Sequence, residues 1–405
     1  MSSRRKFLGQ VASGLGTLAI PGAVSGSSDR IRLGIIGYGA RGSDLAAEAR
    51  ACEHGEIVAV CDIYSANRDR ALQRFPDCQI FEDYRAMLED NSLDAVVIAT
   101  PPHQHSEPFI DALSAGKHVY QESTMAFQVN DAKRMRAAWA QARSRQVVQV
   151  GHQSCSSGQA TDAAAFLRKG YLGRITAVNA VMYRNSPPGK PHWSRPIYPD
   201  MTPENISWRR FLGEPPESVS SPPFDANRFV NWRLFWDYSG GNVYESMSQQ
   251  VAFWSKALRL EIPEAVTMTG GVYLWKDGRE VPDTMSVSME QPEELLFTWS
   301  SGAGNGSPGV TEHVMGTEGS IFRNATQIRY LPEKMNRREA EPIIGRTQTL
   351  PRAHVENFLD CIRGSKEPNC PFEIGYKVSI ACRMAIESYF QRRTVYWDSE
   401  EEEIV

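Results

Sequence analysis

Short apolar runs alternate with longer amphipathic segments through the first part of the chain. The apolar runs predict strands at residues 32–36, 56–61, 94–99, 117–120 and 146–150. The segments between them, 41–51, 65–74, 83–89, 104–115 and 128–143, have the pattern of helices that bury one face. Strands separated by helix-length segments form parallel βαβ units. We therefore predict an α/β fold in which residues 31–150 form a Rossmann-type, doubly wound parallel sheet.

The pattern changes after residue 151. A helix at 161–169 and a strand at 175–183 are followed by segments typical of antiparallel strands at 265–275, 284–289, 293–299, 310–315 and 319–330, and by two helices at 353–363 and 373–390. Residues 184–239 are rich in proline and aromatic residues and are too long for a structureless connector, which indicates a functional insertion. Residues 151–405 are predicted to form the second domain.

The composition is that of an ordinary globular protein and excludes one class of partner. The 405 residues are 41% hydrophobic and 23% charged, with a net charge of −4, and the length is enough for two domains. A negative net charge provides no electrostatic surface for nucleic acid, so no nucleic-acid partner is predicted. A run of acidic residues near the end is interpreted as a solvated tail: Asp398, Glu400, Glu401, Glu402 and Glu403.

The seven cysteines lie far apart in the sequence and include no Cys-x-x-Cys pair. This spacing indicates neither a disulfide framework nor a zinc site. No histidine pair and no cluster of acids has the spacing of metal ligands, so no bound metal is expected.

Residues 1–30 are interpreted as a signal and linker and not as part of the fold. Arg4 and Arg5, followed by a weakly apolar, glycine-rich run, resemble a twin-arginine export signal. The run is too short and too rich in glycine for a stable membrane span. We expect an exported, periplasmic protein that folds before export, which agrees with free buried thiols. A disordered basic N-terminus is the alternative.

A glycine-rich turn follows the first predicted strand and indicates a dinucleotide site. The turn consists of Gly37, Tyr38, Gly39, Ala40, Arg41 and Gly42. Gly37 permits the tight turn, Gly39 permits close approach of a pyrophosphate, and Gly42 permits close packing of helix on strand. Asp62 ends the second strand, where a carboxylate binds the ribose hydroxyls and repels a 2′-phosphate. The predicted cofactor is therefore NAD.

Two further polar segments fall at the carboxyl ends of predicted strands, where ligands of such sheets bind. Thr100 and Pro101 follow the strand at 94–99, and Glu122 and Ser123 follow the strand at 117–120. His105 lies a few residues beyond Pro101. We predict that Thr100, Pro101, His105 and Glu122 contact the cofactor.

Several segments in the same order resemble the Gfo/Idh/MocA family of NAD(P)-dependent proteins, which act mainly on sugars and polyols. They are Thr100-Pro101-Pro102-His103-Gln104-His105, the stretch from Ala115-Gly116-Lys117-His118 to Glu122, and the helical stretch from His354 to Arg363. The resemblance implies a Rossmann domain and a C-terminal α/β domain with a large, open, mainly antiparallel sheet. It also implies a small-molecule sugar or glycoside substrate and a homo-oligomer formed through that sheet.

The chain departs from the family pattern where protons are exchanged. The resemblance places a lysine after Glu122, but Ser123 stands there. It also places an aspartate and a histidine four residues apart on a helix, and here Glu245 and Gln249 occupy those positions. A glutamine amide does not carry a proton near neutral pH. Two of the three proton carriers are therefore absent, although Glu122, Ser123, Glu245 and Gln249 remain candidate catalytic positions.

Other candidate catalytic residues come from position alone. His152 directly follows the last Rossmann strand, Tyr183 closes the strand at 175–183, and Tyr244 precedes Glu245. Each can act as an acid or base, but residues of these types are more often packing residues, and the alternative for His152 is a hydrogen bond across the domain junction.

The insertion carries candidate substrate residues among its aromatic and basic side chains: His192, Trp193, Arg195, Trp232 and Arg233. Aromatic rings stack on sugar faces, and arginines bind hydroxyls or carboxylates. The alternative is that this stretch is a structural lid with a small core of its own.

Three functions are compatible with the sequence. The first is an exported, NAD-dependent oxidoreductase of a sugar or glycoside, with a tightly bound cofactor that is recycled in the site. The second is a redox-neutral glycoside hydrolase or lyase that uses NAD transiently. The third is a non-catalytic NAD- or sugar-binding protein.

Overall fold

The computed structural model describes residues 30–187, 189–213, 221–333 and 352–405. Its N-terminal part is a six-stranded parallel sheet with the strand order β3-β2-β1-β4-β5-β6. The strands are β1 Ile31–Ile36, β2 Gly55–Cys61, β3 Gln79–Phe81, β4 Ala95–Ile98, β5 His118–Gln121 and β6 Val148–Val150. The helices are α1 Ala40–Arg50, α2 Ser65–Arg74, α3 Tyr84–Leu88, α4 Ser106–Ser114 and α5 Val129–Ala142. The predicted doubly wound sheet is confirmed, with β3 as an additional edge strand.

The second sheet has nine strands in the order β13-β12-β11-β7-β10-β9-β8-β14-β15, and its neighbours pair antiparallel except β7 with β10. Its strands are β7 Ile175–Tyr183, β8 Ala265–Gly271, β9 Thr284–Gln291, β10 Leu295–Gly302, β11 Val310–Gly316, β12 Gly319–Asn324, β13 Ile328–Pro332, β14 Val395–Asp398 and β15 Glu403–Ile404. The remaining helices are α6 Gly158–Leu167, α7 Trp208–Phe211, α8 Ala226–Val230, α9 Ser248–Leu258, α10 Ala353–Ile362 and α11 Phe372–Gln391. The expected large, mainly antiparallel sheet is confirmed.

The single strand predicted at 319–330 is wrong, because a turn divides it into β12 and β13. The Asn324 side-chain oxygen accepts hydrogen bonds from the backbone N–H groups of Thr326 and Gln327. An asparagine that binds the backbone two or three residues ahead of it stabilises a turn. The local side-chain bond therefore overrides the apolar pattern.

The interpretation of the acidic end as a solvated tail is also wrong. β14 pairs with β8, and β15 pairs with β14. Glu402 forms an ion pair with Arg136 of α5, and Lys133 donates to the Glu401 carbonyl. Because apolar residues of β14 and β15 pack on the core, this end of the chain is a hairpin and not a tail, although Glu400, Glu401 and Glu403 are exposed.

Helix α10 packs into the core of the first sheet although it lies late in the chain. Val355, Phe358 and Leu359 are buried together with Leu33 of β1 and Tyr120 of β5. The Tyr120 and Phe358 rings meet edge to face at 5.8 Å. The Rossmann core is thus completed by residues from the C-terminal part of the chain.

The insertion at 184–239 has two small cores in its described part. The first contains Phe211, Leu234, Phe235 and Tyr238, and the second contains Met201 and Ile206 with Tyr64 of the first domain. The insertion therefore has small cores of the kind expected for a structural lid. The same segment also lines a large cavity, as described below.

Three general features concern the described residues. All seven cysteines are free and buried. Within 30–187, 189–213, 221–333 and 352–405, no helix is long and apolar enough to cross a membrane. In the same ranges, no group of three or more His, Cys, Asp or Glu side chains could hold a metal ion. The segment predicted to be an export signal lies almost entirely outside them.

A buried carboxylate fixes α9 to the second sheet. Glu312 of β11 is 1% exposed and forms an ion pair with Arg323 of β12 at 2.5 Å. It also accepts hydrogen bonds from Gln250 (2.6 Å) and Trp254 (3.1 Å), both on α9. Burying a carboxylate is tolerated only when its oxygens are paired in this way. The network therefore sets the position of α9, which carries Gln249.

We predict that Glu312→Ala lowers the free energy of unfolding by about 3–5 kcal/mol, because Arg323 is left without its carboxylate. Urea unfolding at pH 7 measures this loss. The matched control is Arg174→Ala, which removes an exposed ion pair with Glu294 and should change stability by about 0–1 kcal/mol. Equal losses in the two variants would contradict the assignment.

Candidate functional site

The glycine turn after β1 has the geometry that a dinucleotide requires. Gly37 has a φ of 89°, and a Cβ there would lie 2.9 Å from the Ala99 carbonyl oxygen. A Cβ on Gly42 would collide with the Gly37 carbonyl, whereas Gly39 faces open space. Gly39 is the N-cap of α1 and makes no side-chain capping bond. The turn thus leaves room for a phosphate at a positive helix end.

Asp62 follows β2 directly and is held by three donors. Its carboxylate accepts hydrogen bonds from the Tyr38 N–H (2.7 Å), the Tyr64 N–H (2.8 Å) and the Asn67 amide (3.0 Å). Burial raises the pKa of Asp62, and the three donors oppose that effect. The donors fix the carboxylate at the carboxyl edge of the sheet, in the position predicted from the sequence.

A cavity of about 1070 Å³ lies between this edge and the insertion. Its lining includes most of the predicted cofactor residues and part of the predicted substrate set: Gly37, Gly39, Ala40, Arg41, Asp62, Thr100, Pro101, Arg195, Trp232 and Arg233. The volume is ample for a dinucleotide site. The residues present fit NAD, because the turn is open, α1 is uncapped, and a carboxylate stands at the end of β2.

Four predicted cofactor residues do not line the cavity: Tyr38, Gly42, His105 and Glu122. Tyr38 packs against Phe75 at a ring distance of 6.4 Å. His105 is buried, and its two ring nitrogens lie 2.9 Å from the Thr124 carbonyl and 2.8 Å from the Thr100 carbonyl. His105 therefore joins two strand-end loops and does not reach into the cavity.

His103 lines the cavity and was not predicted. Its Nε2 lies 2.7 Å from the Phe211 carbonyl of the insertion. Burial lowers its pKa to about 4, so the ring is neutral at pH 7. His103 lies at the cavity because the insertion docks beside it, whereas His105 does not. The sequence pattern does not give the position of the insertion, so it could not separate the two histidines.

Glu122 and Arg41 form a buried ion pair next to the cavity. Arg41 Nε lies 2.5 Å from Glu122 Oε1, and the Ser123 N–H donates to the other carboxylate oxygen. Burial alone would raise the pKa of Glu122, but the charge of Arg41 and these hydrogen bonds outweigh it and hold the pKa below its ordinary value. Glu122 is therefore ionised. A Cβ on Gly151 would collide with its carboxylate, so this site needs a glycine there.

The structure brings together the two positions where the chain departs from the family pattern. The Gln249 amide donates to the Ser123 hydroxyl at 2.9 Å and to the Gly151 carbonyl at 3.3 Å. A hydroxyl and an amide thus meet where the resemblance implies an ammonium and an imidazole. Both groups orient hydrogen bonds, but neither stores a proton near neutral pH.

Glu245 pairs with Arg233 at 2.9 Å, and both side chains are about four-fifths buried. Glu245 lies in a π-helical turn, Val243–Met247, directly before α9. Such turns often occur at functional sites. The two ion pairs, Arg41 with Glu122 and Arg233 with Glu245, each join an arginine of the cavity wall to a predicted catalytic carboxylate.

Tyr244 and Tyr183, two of the candidate acids or bases, do not line the cavity. Tyr244 is fully buried in the core, and its hydroxyl donates to the Phe127 carbonyl. In β7, Val178, Ala180 and Met182 point into the core, so Tyr183 lies on the outer face of the sheet and covers Gly302. Neither ring reaches the Ser123–Gln249 contact.

His152 is completely buried, and neither ring nitrogen has a hydrogen-bond partner among the described residues. Burial lowers its pKa to about 3, although the nearby Glu122 carboxylate favours the charged form. The ring is therefore neutral at pH 7. His152 lies near Glu122 but does not line the cavity.

His192 and Trp193 do not line the cavity either, which corrects their assignment to the substrate set. Their rings pack together at 4.5 Å, and the His192 carbonyl accepts a bond from Arg279. Burial and neighbouring arginines lower the pKa of His192 to about 4. This part of the insertion is anchored to the second domain, and it leaves Arg195, Trp232 and Arg233 at the cavity.

Comparison with known proteins agrees with the geometry of the first domain. Residues 31–152 match the model of the GFO_IDH_MocA family, described as an oxidoreductase family with an NAD-binding Rossmann fold. Residues 31–152 are thus similar to the NAD-binding domains of that family, and the cofactor of this Rossmann domain is NAD.

Relatives among curated proteins match only part of the chain. Inositol 2-dehydrogenase of Gluconacetobacter diazotrophicus is 32% identical over 182 residues, which are 44% of this chain and 53% of that protein. A glycosyl hydrolase family 109 protein of Shewanella baltica is 30% identical over 122 residues, which are 28% of this chain and 27% of that protein. The chain thus spans about half of the first relative and about a quarter of the second.

A solved structure extends the likeness of the fold to both domains. The WlbA dehydrogenase of Bordetella pertussis, in complex with NADH and UDP-GlcNAcA, has a TM-score of 0.68 at 18% identity. The match covers 91% of this chain and 99% of that chain. The C-terminal sheet therefore has the fold found in that enzyme.

We predict that Asp62→Ala weakens NAD binding by about 1.5–3 kcal/mol, the size of a hydrogen bond to a charged group. The discrimination against NADP should fall as well, because the repelling carboxylate is gone. Calorimetric titration of protein stripped of its dinucleotide measures both effects. Asp77→Ala, which removes an exposed carboxylate close to the end of α2, is the control and should leave both affinities unchanged. Unaltered NAD affinity in Asp62→Ala would contradict the ribose assignment.

Proposed function

We propose that this protein is an exported, NAD-dependent oxidoreductase of a sugar or glycoside, with a cofactor that stays bound and is recycled in the site. The observation that carries the proposal is the contact of Ser123 with Gln249 beside the Arg41–Glu122 pair. It lies at the carboxyl ends of β5 and β6, where a doubly wound sheet presents its ligands. The bound NAD supplies hydride transfer, and the chain supplies orientation and proton exchange.

The polar groups around this contact favour orientation over fast proton removal. Glu122 is ionised but paired with Arg41, and Glu245 is paired with Arg233. His152 is neutral and buried. Because a general base contributes roughly 10²–10⁴-fold to such reactions, simple polyols are slow substrates in this proposal. Glu245 is the carboxylate next to α9 that would accept a proton from a larger substrate.

Retention of the cofactor is supported by the way in which the insertion joins the first domain. The Ser65 N–H donates to the Asn205 carbonyl at 2.9 Å, and the Ser207 N–H donates to the Ile63 carbonyl at 3.1 Å. The Tyr64 hydroxyl donates to the Asp200 carboxylate. These bonds tie the insertion to the loop that follows Asp62. A dinucleotide in the cavity would be covered on its ribose side, so its release requires these bonds to break.

We predict that the purified protein releases close to one NAD(H) per chain on heat denaturation, even after prolonged dialysis. Asp200→Ala should speed the exchange of bound NAD for isotopically labelled NAD roughly tenfold, because one hydrogen bond to a charged group is lost. The control is Glu204→Ala, an exposed carboxylate of the same loop. Fast exchange in the unaltered protein would disprove retention.

Redox-neutral cleavage of a glycoside is the second candidate function. The Ser123–Gln249 contact, which lacks the lysine and the histidine of the family pattern, also fits a site in which oxidation is a transient step of a longer reaction. In such a reaction a ring hydroxyl would be oxidised to a ketone with transfer of its hydride to the bound NAD, and the neighbouring carbon would lose its proton. The substituent on the next carbon would leave, water would add in its place, and the hydride would return to the ketone, so that no net redox change occurs. The hydrolase name of the Shewanella baltica relative agrees with this chemistry.

Turnover of aryl glycosides in deuterated water separates the two reactions. For the oxidoreductase we expect a keto-sugar without deuterium beside the carbonyl, formed only when a second carbonyl compound accepts the hydride. Deuterium at the carbon beside the oxidised one, with release of the free sugar and no added acceptor, would establish cleavage instead. No turnover with any glycoside, despite full NAD content, would favour the non-catalytic binding protein.

Export and self-association stay predictions from the sequence. The twin-arginine motif supports export. The outer face of the second sheet, which carries Asn179, Thr298, His313 and the exposed Leu331, is the surface that the proposed homo-oligomer would use.

A further inference from the structure

Two arginines of the insertion stand together in the cavity wall. Arg233 pairs with Glu245 at 2.9 Å, and its guanidinium lies 4.0 Å from the centre of the Trp232 ring. Arg195 lines the same cavity. The main chain of Arg195 is fixed by the buried Asn231, whose side chain accepts from its N–H at 2.7 Å and donates to its carbonyl at 3.2 Å. Both arginines are thus presented by an ordered segment.

The Arg195 guanidinium makes no hydrogen bond or ion pair with any of the described residues. Partial burial lowers its pKa, and the positive charge of Arg233 lowers it further, against the opposing effect of Glu245 and Asp44. Arg195 itself is exposed, and its charge has the same sign as that of Arg233, so the two repel each other. An anion between them would relieve this repulsion.

The neighbouring groups do not neutralise this pair. Glu245 compensates Arg233, the exposed Asp44 of α1 forms no ion pair with Arg195 among the described residues, and His192 is neutral at pH 7. Arg41, which lies near the Ser123–Gln249 contact, is already paired with Glu122. One positive charge therefore remains in this part of the cavity wall.

We propose that Arg195, together with Arg233, binds the carboxylate of an acidic sugar, so that the substrate is a uronic acid or a uronic-acid glycoside. The inference rests on the proposed function and names its substrate class. A guanidinium binds a carboxylate through two parallel N–H···O bonds. The phosphates of the dinucleotide have their own donors at the N-terminus of α1, on the glycine turn.

The test compares sugars that differ only at the carboxylate. D-glucuronate and D-galacturonate are titrated by calorimetry into the NAD-loaded protein, against D-glucose and D-galactose. We expect the acids to bind at least tenfold more tightly. Arg195→Gln should weaken acid binding roughly 10–100-fold and leave the neutral sugars unchanged, and Arg195→Lys should recover part of the loss. Arg184→Gln, which alters an exposed arginine outside the cavity wall, is the matched control.

Each other outcome contradicts the proposal in a distinct way. Equal binding of acids and neutral sugars, or no binding of either acid, would show that the cavity selects no carboxylate. Loss of NAD from Arg195→Gln, measured by heat release, would show that the guanidinium serves the pyrophosphate. The comparison of acids with neutral sugars uses the unaltered protein, so its result does not depend on whether a variant folds. Binding of acids that depends on Arg195, without any turnover, would sustain this proposal while the oxidoreductase proposal fails.

Discussion

The ion pair between Arg41 and Glu122 is the interaction on which the candidate site depends. Arg41 belongs to the nucleotide turn, and Glu122 belongs to the end of β5, so the pair joins two strand ends beneath the cavity. A carboxylate buried this deeply is stable only with a partner and with hydrogen bonds to its oxygens. The N–H of Ser123 supplies one such bond, which fixes the residue that meets Gln249.

In the second domain, a separate buried network around Glu312 positions the helix whose Gln249 meets Ser123. Glu312 holds α9 against the sheet through Gln250 and Trp254, and the neighbouring Gln249 points to the opposite side, toward Ser123. Adjacent helical residues point in different directions, so one glutamine can anchor the helix while the next one serves the site. Paired polar groups in both domains therefore set the relative position of the two domains at the Ser123–Gln249 contact.

Local sequence signals predicted those parts of the site that local geometry determines. The glycine turn and Asp62 were found because their spacing reflects a strand, a turn and a helix in direct succession. The incorrect assignments concern the direction in which a side chain points. The side chains of a strand alternate between its two faces, and Val178, Ala180 and Met182 lie on the buried face of β7. Tyr183 therefore lies on the opposite face. The side chain of Tyr244 is buried in the core, where its hydroxyl donates to the Phe127 carbonyl. The difference between His103 and His105 depends on where a distant insertion docks, and no local pattern contains that information.

The packing of α10 into the first core has a consequence for the order of folding. Phe358 and Leu359 fill space beside Tyr120 and Leu33, and they are synthesised long after both. Long-range contacts of this kind slow folding, because distant parts of the chain must meet before the core closes. On the ribosome, the parallel sheet therefore exposes an unfinished apolar face until the last part of the chain has emerged. A chain truncated before α10 would leave this apolar face of the first sheet exposed, and such a face is prone to aggregation.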